Sequence, residues 1–111
     1  MNTRVDYLYT DADNYKVYNE AVVKGEISQD SVSEIMDCLD SGEFFIPSQV
    51  GLPEEKFPEI TEADHPWFTL QGFELTEKPC DEGLDVKDVK DLVERFKKAR
   101  GNWDEFSWLG Y

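Results

Sequence analysis

Residues 40–73, DSGEFFIPSQVGLPEEKFPEITEADHPWFTLQGF, set the tightest limit on what this chain can fold into. They hold four of the five prolines and three of the seven glycines. Proline fixes φ and has no amide hydrogen to donate, so little of this stretch can be long helix or long strand. Yet Phe44, Phe45, Ile46, Val50, Leu52, Phe57, Ile60, Trp67, Phe68, Leu70 and Phe73 make it too apolar for a solvated linker. An irregular connection pinned to a core by its side chains is the economical expectation, with regular elements on both sides.

Ahead of it, Val5, Tyr7 and Tyr9 alternate with Asp6, Leu8 and Thr10, the period of two that marks a strand. Asp11, Ala12, Asp13 and Asn14 supply turn residues, and residues 15–23 read as the returning strand of a hairpin that stops before Gly25. Ser28 is a good helix N-cap, with Ile27 before it and Val32 four residues after it placed for a hydrophobic staple. Val32, Ile35, Met36 and Leu39 give this helix an apolar face, Asp30, Glu34 and Asp37 lie opposite, and Gly42 supplies a left-handed stop.

Residues 43–46 predict a short strand ended by Pro47, and residues 47–66 a loop with one helical turn near 53–56. A further strand spans 67–75, with Gly72 marking a bulge. After a polar connection at 78–83, a second helix starts at Asp85, buries Val86, Val89, Leu92, Val93 and Phe96, and ends at Gly101. Its acids sit early and its Lys97, Lys98 and Arg100 late, matching the helix dipole. The order predicts a single α+β domain over 1–111: a small, mostly antiparallel sheet of about four strands with two helices on one face. Its core is expected to include Val32, Ile35, Leu39, Trp67, Val89, Leu92, Val93 and Phe96.

Charge narrows the function classes. With 25 acidic and 11 basic residues the net charge is −14, which repels phosphate backbones and anionic lipid, so neither direct nucleic-acid binding nor membrane binding is expected. No apolar run nears the roughly 20 residues of a membrane span. The opening MNTRVDYLY lacks a signal-peptide layout, and Cys38 and Cys80 show no metal-ligand spacing, so free thiols in the cytoplasm are expected.

Between residues 26 and 64 eleven acids face one base, Lys56. Apart from Glu26 these are Asp30, Glu34, Asp37, Asp40, Glu43, Glu54, Glu55, Glu59, Glu62 and Asp64. A solvated surface is the plainer account. The functional one is a docking face for a basic protein surface, including imitation of a DNA backbone to inhibit a nucleic-acid enzyme. Trp103, Phe106, Trp108 and Tyr111 either pack on the sheet or offer aromatic anchors, since Trp and Tyr dominate interface hot spots.

Catalytic signals are sparse. Asp11 and Asp13 open like a calcium loop, but Lys16 stands where the glycine should be and Val22 where the bidentate glutamate should be. His65, the only histidine, follows Asp64 with no nucleophile specified, and no pair of carboxylates stands out for a small hydrolase. No cofactor or metal is expected. The phrases DADNYK (11–16), CLDSGEFFIPSQVGLPE (38–54) and DHPWF (64–68) resemble a group of small acidic proteins of unestablished function carried by mobile elements of gut-type bacteria. That resemblance spans roughly residues 5–103 and carries no enzymatic motif. It implies a cytoplasmic accessory protein, and by analogy one able to block a host defence enzyme.

Overall fold

In the computed structural model, which describes residues 1–10, 16–54 and 67–103, four strands form one antiparallel sheet. β1 (Asn2–Thr10) pairs with β2 (Lys16–Val23) in the expected hairpin, with Val5 opposite Ala21 and Tyr9 opposite Val17. The turn expected at 11–14 lies outside the described residues. α1 (Gln29–Cys38) follows, then β3 (Phe44–Phe45), β4 (Phe68–Thr76) and α2 (Val89–Ala99). The sheet order is β2-β1-β4-β3, so the first strand is flanked on both sides.

The alternation read in β1 decides what lies where. Thr3, Val5, Tyr7 and Tyr9 are buried, and the last three join Ile35 and Cys38 of α1 and Leu92 and Phe96 of α2 in one cluster. Both helices therefore cover the same face. Tyr7 meets Phe45 edge-on at 5.6 Å between ring centroids, and Phe45 in turn lies 5.5 Å from Phe96. Buried Thr3 uses its hydroxyl twice, donating to the Gly25 carbonyl (2.7 Å) and accepting from the Ile27 amide (3.0 Å), which ties the exit of β2 to β1. Of the expected core, Ile35, Leu39, Val89, Leu92, Val93 and Phe96 are buried, while Val32 and Trp67 are half-buried.

α1 begins as expected: Ser28 Oγ accepts from the Ser31 amide at 3.1 Å. Its buried face is rotated from the expected one, because Ile35 and Cys38 are covered while Met36 is 40% exposed. Gly42 (φ 75) follows Ser41 (φ 53) in a turn beyond the helix, whose C-cap is Leu39.

α2 corrects the expected start. Asp88 caps it, accepting from the Asp91 amide at 2.8 Å, one turn later than Asp85. Two tertiary contacts explain the shift. The first free amide, Val89 N–H, donates to the Lys24 carbonyl at the end of β2 (2.9 Å), and the Asp85 carboxylate accepts from Arg95 Nη1 at 3.0 Å. Val86 is buried even so, and Gly101 (φ 72) closes the helix as read.

Of the long connection, residues 47–54 are described and 55–66 are not. Pro47–Val50 form a 3-10 turn ended by Gly51, in place of the plain loop expected there. Val50 and Leu52 enter the core and the Pro53 carbonyl accepts from the Tyr7 hydroxyl at 2.6 Å, so this part is pinned to the sheet. Of the helical turn expected at 53–56, Pro53 and Glu54 belong to no helix, and residues 55 and 56 fall outside the described residues. The bulge expected near Gly72 is present, since Asp6 faces Gly72 while Tyr7 faces Leu70, leaving Gln71 as the extra residue.

Candidate functional site

The acids of the middle segment divide by what they touch. Asp30, Glu34 and Asp37 are all exposed on α1. Glu34 has a partner across the helix pair: Lys97 Nζ lies 3.1 Å from its carboxylate and 3.6 Å from Glu94. The bond to Glu34 leads the interactions that push the Lys97 pKa upward. Glu54 accepts from the Ser48 amide at 2.9 Å, closing the 3-10 turn. Glu26 faces the chain's amino terminus at 3.5 Å. Asp30, Asp37, Asp40 and Glu43 form no ion pair among the described residues. Glu55, Glu59, Glu62 and Asp64 lie outside the described residues, as does His65.

Local backbone chemistry gathers three of these acids, Asp37, Asp40 and Glu43, at one corner, while Asp30 lies in the first turn of α1 at the helix's other end. The Asp40 amide donates to the Phe44 carbonyl (2.7 Å) and the Phe44 amide to Asp40 (3.0 Å), closing a tight loop over Ser41, Gly42 and Glu43. Left-handed backbone at Ser41 and Gly42 makes that reversal, and serine there carries a strain that glycine would not. The loop brings Asp40, Ser41, Phe44 and Trp67 around a shallow depression of about 320 Å³. Phe44 and Trp67 are both half-buried, so each shows part of its ring to this hollow.

Trp103 supports the corner from below. Its ring lies 6.3 Å from Trp67 and 6.1 Å from Phe96, both edge-on, and its Nε1 donates to the Cys38 carbonyl at 3.3 Å. That carbonyl belongs to the last turn of α1, where no intrahelical donor remains. Trp103 thus packs back on the core, while Phe106, Trp108 and Tyr111 lie outside the described residues. Cys38 is buried, and desolvation pushes its thiol pKa up, away from thiolate chemistry.

A second cluster, not singled out in the sequence, occupies the helix-free face of the sheet. Arg4 binds Asp6 (3.0 Å), Glu74 and, at 3.8 Å, Glu20. The bond to Asp6 leads the interactions that raise its pKa further. Asp6, Tyr18, Glu20, Gln71 and Glu74 line an open hollow of about 590 Å³ above Gly72. The period of two in β1 places Arg4 and Asp6 on one face; which residues of β2 and β4 join them depends on register. Among the described residues no group of three or more His, Cys, Asp or Glu could hold a metal ion, and no helix is long and apolar enough to cross a membrane. Compared with family models, curated proteins and solved structures, the chain matches none at a significant level.

Proposed function

We propose that this is a non-enzymatic binding protein that docks the corner between α1 and β3 on a basic protein surface in the cytoplasm. What supports the reading is one juxtaposition: Asp37, Asp40 and Glu43, exposed and without ion pairs among the described residues, lie in and before a loop whose Phe44 forms an aromatic hollow with Trp67. A lysine or arginine of the partner fits this arrangement. Its aliphatic stem lies on Phe44 and Trp67, its cation meets Asp40, and a ring face near a cation adds roughly 0.5–2 kcal/mol. The surrounding acids speed encounter more than they slow release, and salt screens them beyond about 8–10 Å.

The test is capture from a lysate of the source cells at about 50 mM salt, with the protein and its Asp37→Asn, Asp40→Asn, Glu43→Gln variant as paired baits. The expected result is a basic protein that the first retains, the variant loses, and about 0.3 M salt releases. Equal capture by both baits overturns the reading. If DNA displaces the captured protein and the protein in turn lowers that partner's activity on DNA, the reading becomes inhibition of a nucleic-acid enzyme by occupying its charged groove.

A further inference from the structure

The two outer edges of the sheet are treated differently. On β2 the connection after β4 closes the edge at Val22: the Asp81 amide donates to the Val22 carbonyl (2.9 Å) and the Asp81 carboxylate accepts from the Val22 amide (3.0 Å). On the other side, β3 covers only Phe68 and Thr69 of the nine-residue β4, with one further bond from the Leu70 amide to the Glu43 carbonyl (3.1 Å). Beyond the bulge at Gln71, the outer edge of residues 72–76 pairs with no strand among the described residues. Five residues at about 3.3 Å each give some 17 Å of edge, the length of an ordinary strand.

The faces flanking this edge specify what could lie along it. Phe73 and Leu75 stand opposite Val5 and Thr3 and so share the helix-covered face. The helices stop short of them: Phe73 is half-buried and Leu75 is 49% exposed. Glu74, opposite Arg4, is on the other face, where Asp6, Glu20 and Glu74 outnumber the single guanidinium by three to one. An added strand would therefore continue an apolar surface on one side and meet net negative charge on the other.

We propose that the edge of residues 72–76 accepts an extended segment of a protein partner in which basic and apolar residues alternate. Main-chain hydrogen bonds supply the pairing, and the alternation of side chains supplies the selectivity. A second copy of this chain fits poorly, because each copy carries −14 and would bring its own Glu74 to the same acidic face. The bulge and Glu74 are features that discourage an edge from pairing with itself, yet Glu74 favours a basic strand. This surface shares no residue with the corner between α1 and β3.

The test uses isotope-labelled protein and the blocked peptide Lys-Val-Lys-Val-Lys-Val-Lys, with Glu-Val-Glu-Val-Glu-Val-Glu and a block-ordered Lys/Val peptide of the same composition as references. The expected result is slowed hydrogen exchange within residues 72–76 and cross-strand contacts from those residues to the alternating basic peptide alone. Glu74→Lys, which also loses the ion pair to Arg4, and Leu75→Lys, both at exposed positions, should each weaken it about tenfold with the fold retained by circular dichroism, whereas Asp37→Asn with Asp40→Asn should not. Three outcomes overturn the proposal: equal binding of the block-ordered peptide, changes confined to residues 37–44, or protection of 72–76 without peptide in a sedimenting dimer. The first two mean that charge alone is read, and the third that a second copy occupies the edge.

Discussion

Replacing Asp88 and Asp85 separately by alanine tests where α2 begins. Asp88 accepts from the Asp91 amide at 2.8 Å, and the Asp91 carboxylate accepts in return from the Lys87 amide at 2.9 Å. Losing an N-cap of this kind costs about 1 kcal/mol, with a range of roughly 0.5–2. Asp85 instead makes an ion pair with Arg95 at 3.0 Å from a side chain that is 81% exposed, and such pairs contribute about 0–1 kcal/mol. At about 2.1 cal/mol/K of unfolding entropy per residue, 111 residues convert 1 kcal/mol into roughly 4 °C. Asp88→Ala should therefore lower the melting temperature by about 4 °C (roughly 2–9 °C over that range), and Asp85→Ala by no more than about 4 °C. Scanning calorimetry at low and at 1 M salt separates the mechanisms. The Asp85 effect should vanish where the Debye length falls to about 3 Å, while the Asp88 effect, a bond to backbone, should persist. A larger loss from Asp85→Ala, insensitive to salt, would return the helix start to the earlier position and refute the capping argument.

Gly51→Ala should be costly although glycine occupies no core volume. Its φ is 82°, and an added Cβ would meet the Val86 amide nitrogen at 3.0 Å and Arg95 Nη1 at 2.8 Å, so a loss of about 1–3 kcal/mol is expected in urea denaturation. Asp91 carries an acid-range signature. The Lys87 amide first and then Arg95 hold its carboxyl pKa below the usual 3.8. Its contribution is complete above that value and is lost as pH falls through the lower folded one. Asp91→Asn should be less stable than the parent protein at neutral pH, with the gap shrinking below about pH 4; a pH-independent gap in denaturation midpoints would refute the assignment.

How much of this could be read from the chain depended on whether a signal was local. The hairpin, the Ser28 cap, the stop at Gly101 and the bulge by Gly72 follow from residues within a few positions of one another. The start of α2 did not, because Asp85 and Asp88 are equally good caps in isolation. What separates them is the Lys24 carbonyl, a sheet-length away in sequence, and an arginine one helix turn and more downstream. The same holds for the acids. Asp30, Glu34 and Asp37 are all acids on one short helix, but only Glu34 falls across from Lys97 when the helices pack. The hollow of Phe44 and Trp67 joins residues separated by the least regular part of the chain, and no periodicity announces it. The uneven treatment of the two sheet edges is equally silent, since it rests on Asp81 reaching back to Val22.

The central place of β1 has a consequence in time. Its pairing with β2 is local, but its pairing with β4 joins residues between 61 (Leu8 to Thr69) and 74 positions apart (Asn2 to Thr76). During synthesis at about 5–20 residues per second, the strand at the middle of the finished sheet waits on the order of 3–15 s for its second neighbour. Its Val5, Tyr7 and Tyr9 have little to bury against in that interval, and such half-built sheets are prone to associate edge to edge. The segment that leaves the ribosome meanwhile is 26–64, with eleven acids and one base. Charge of one sign keeps neighbouring nascent chains apart. Repulsion from that segment would oppose edge-to-edge association for as long as the sheet is incomplete.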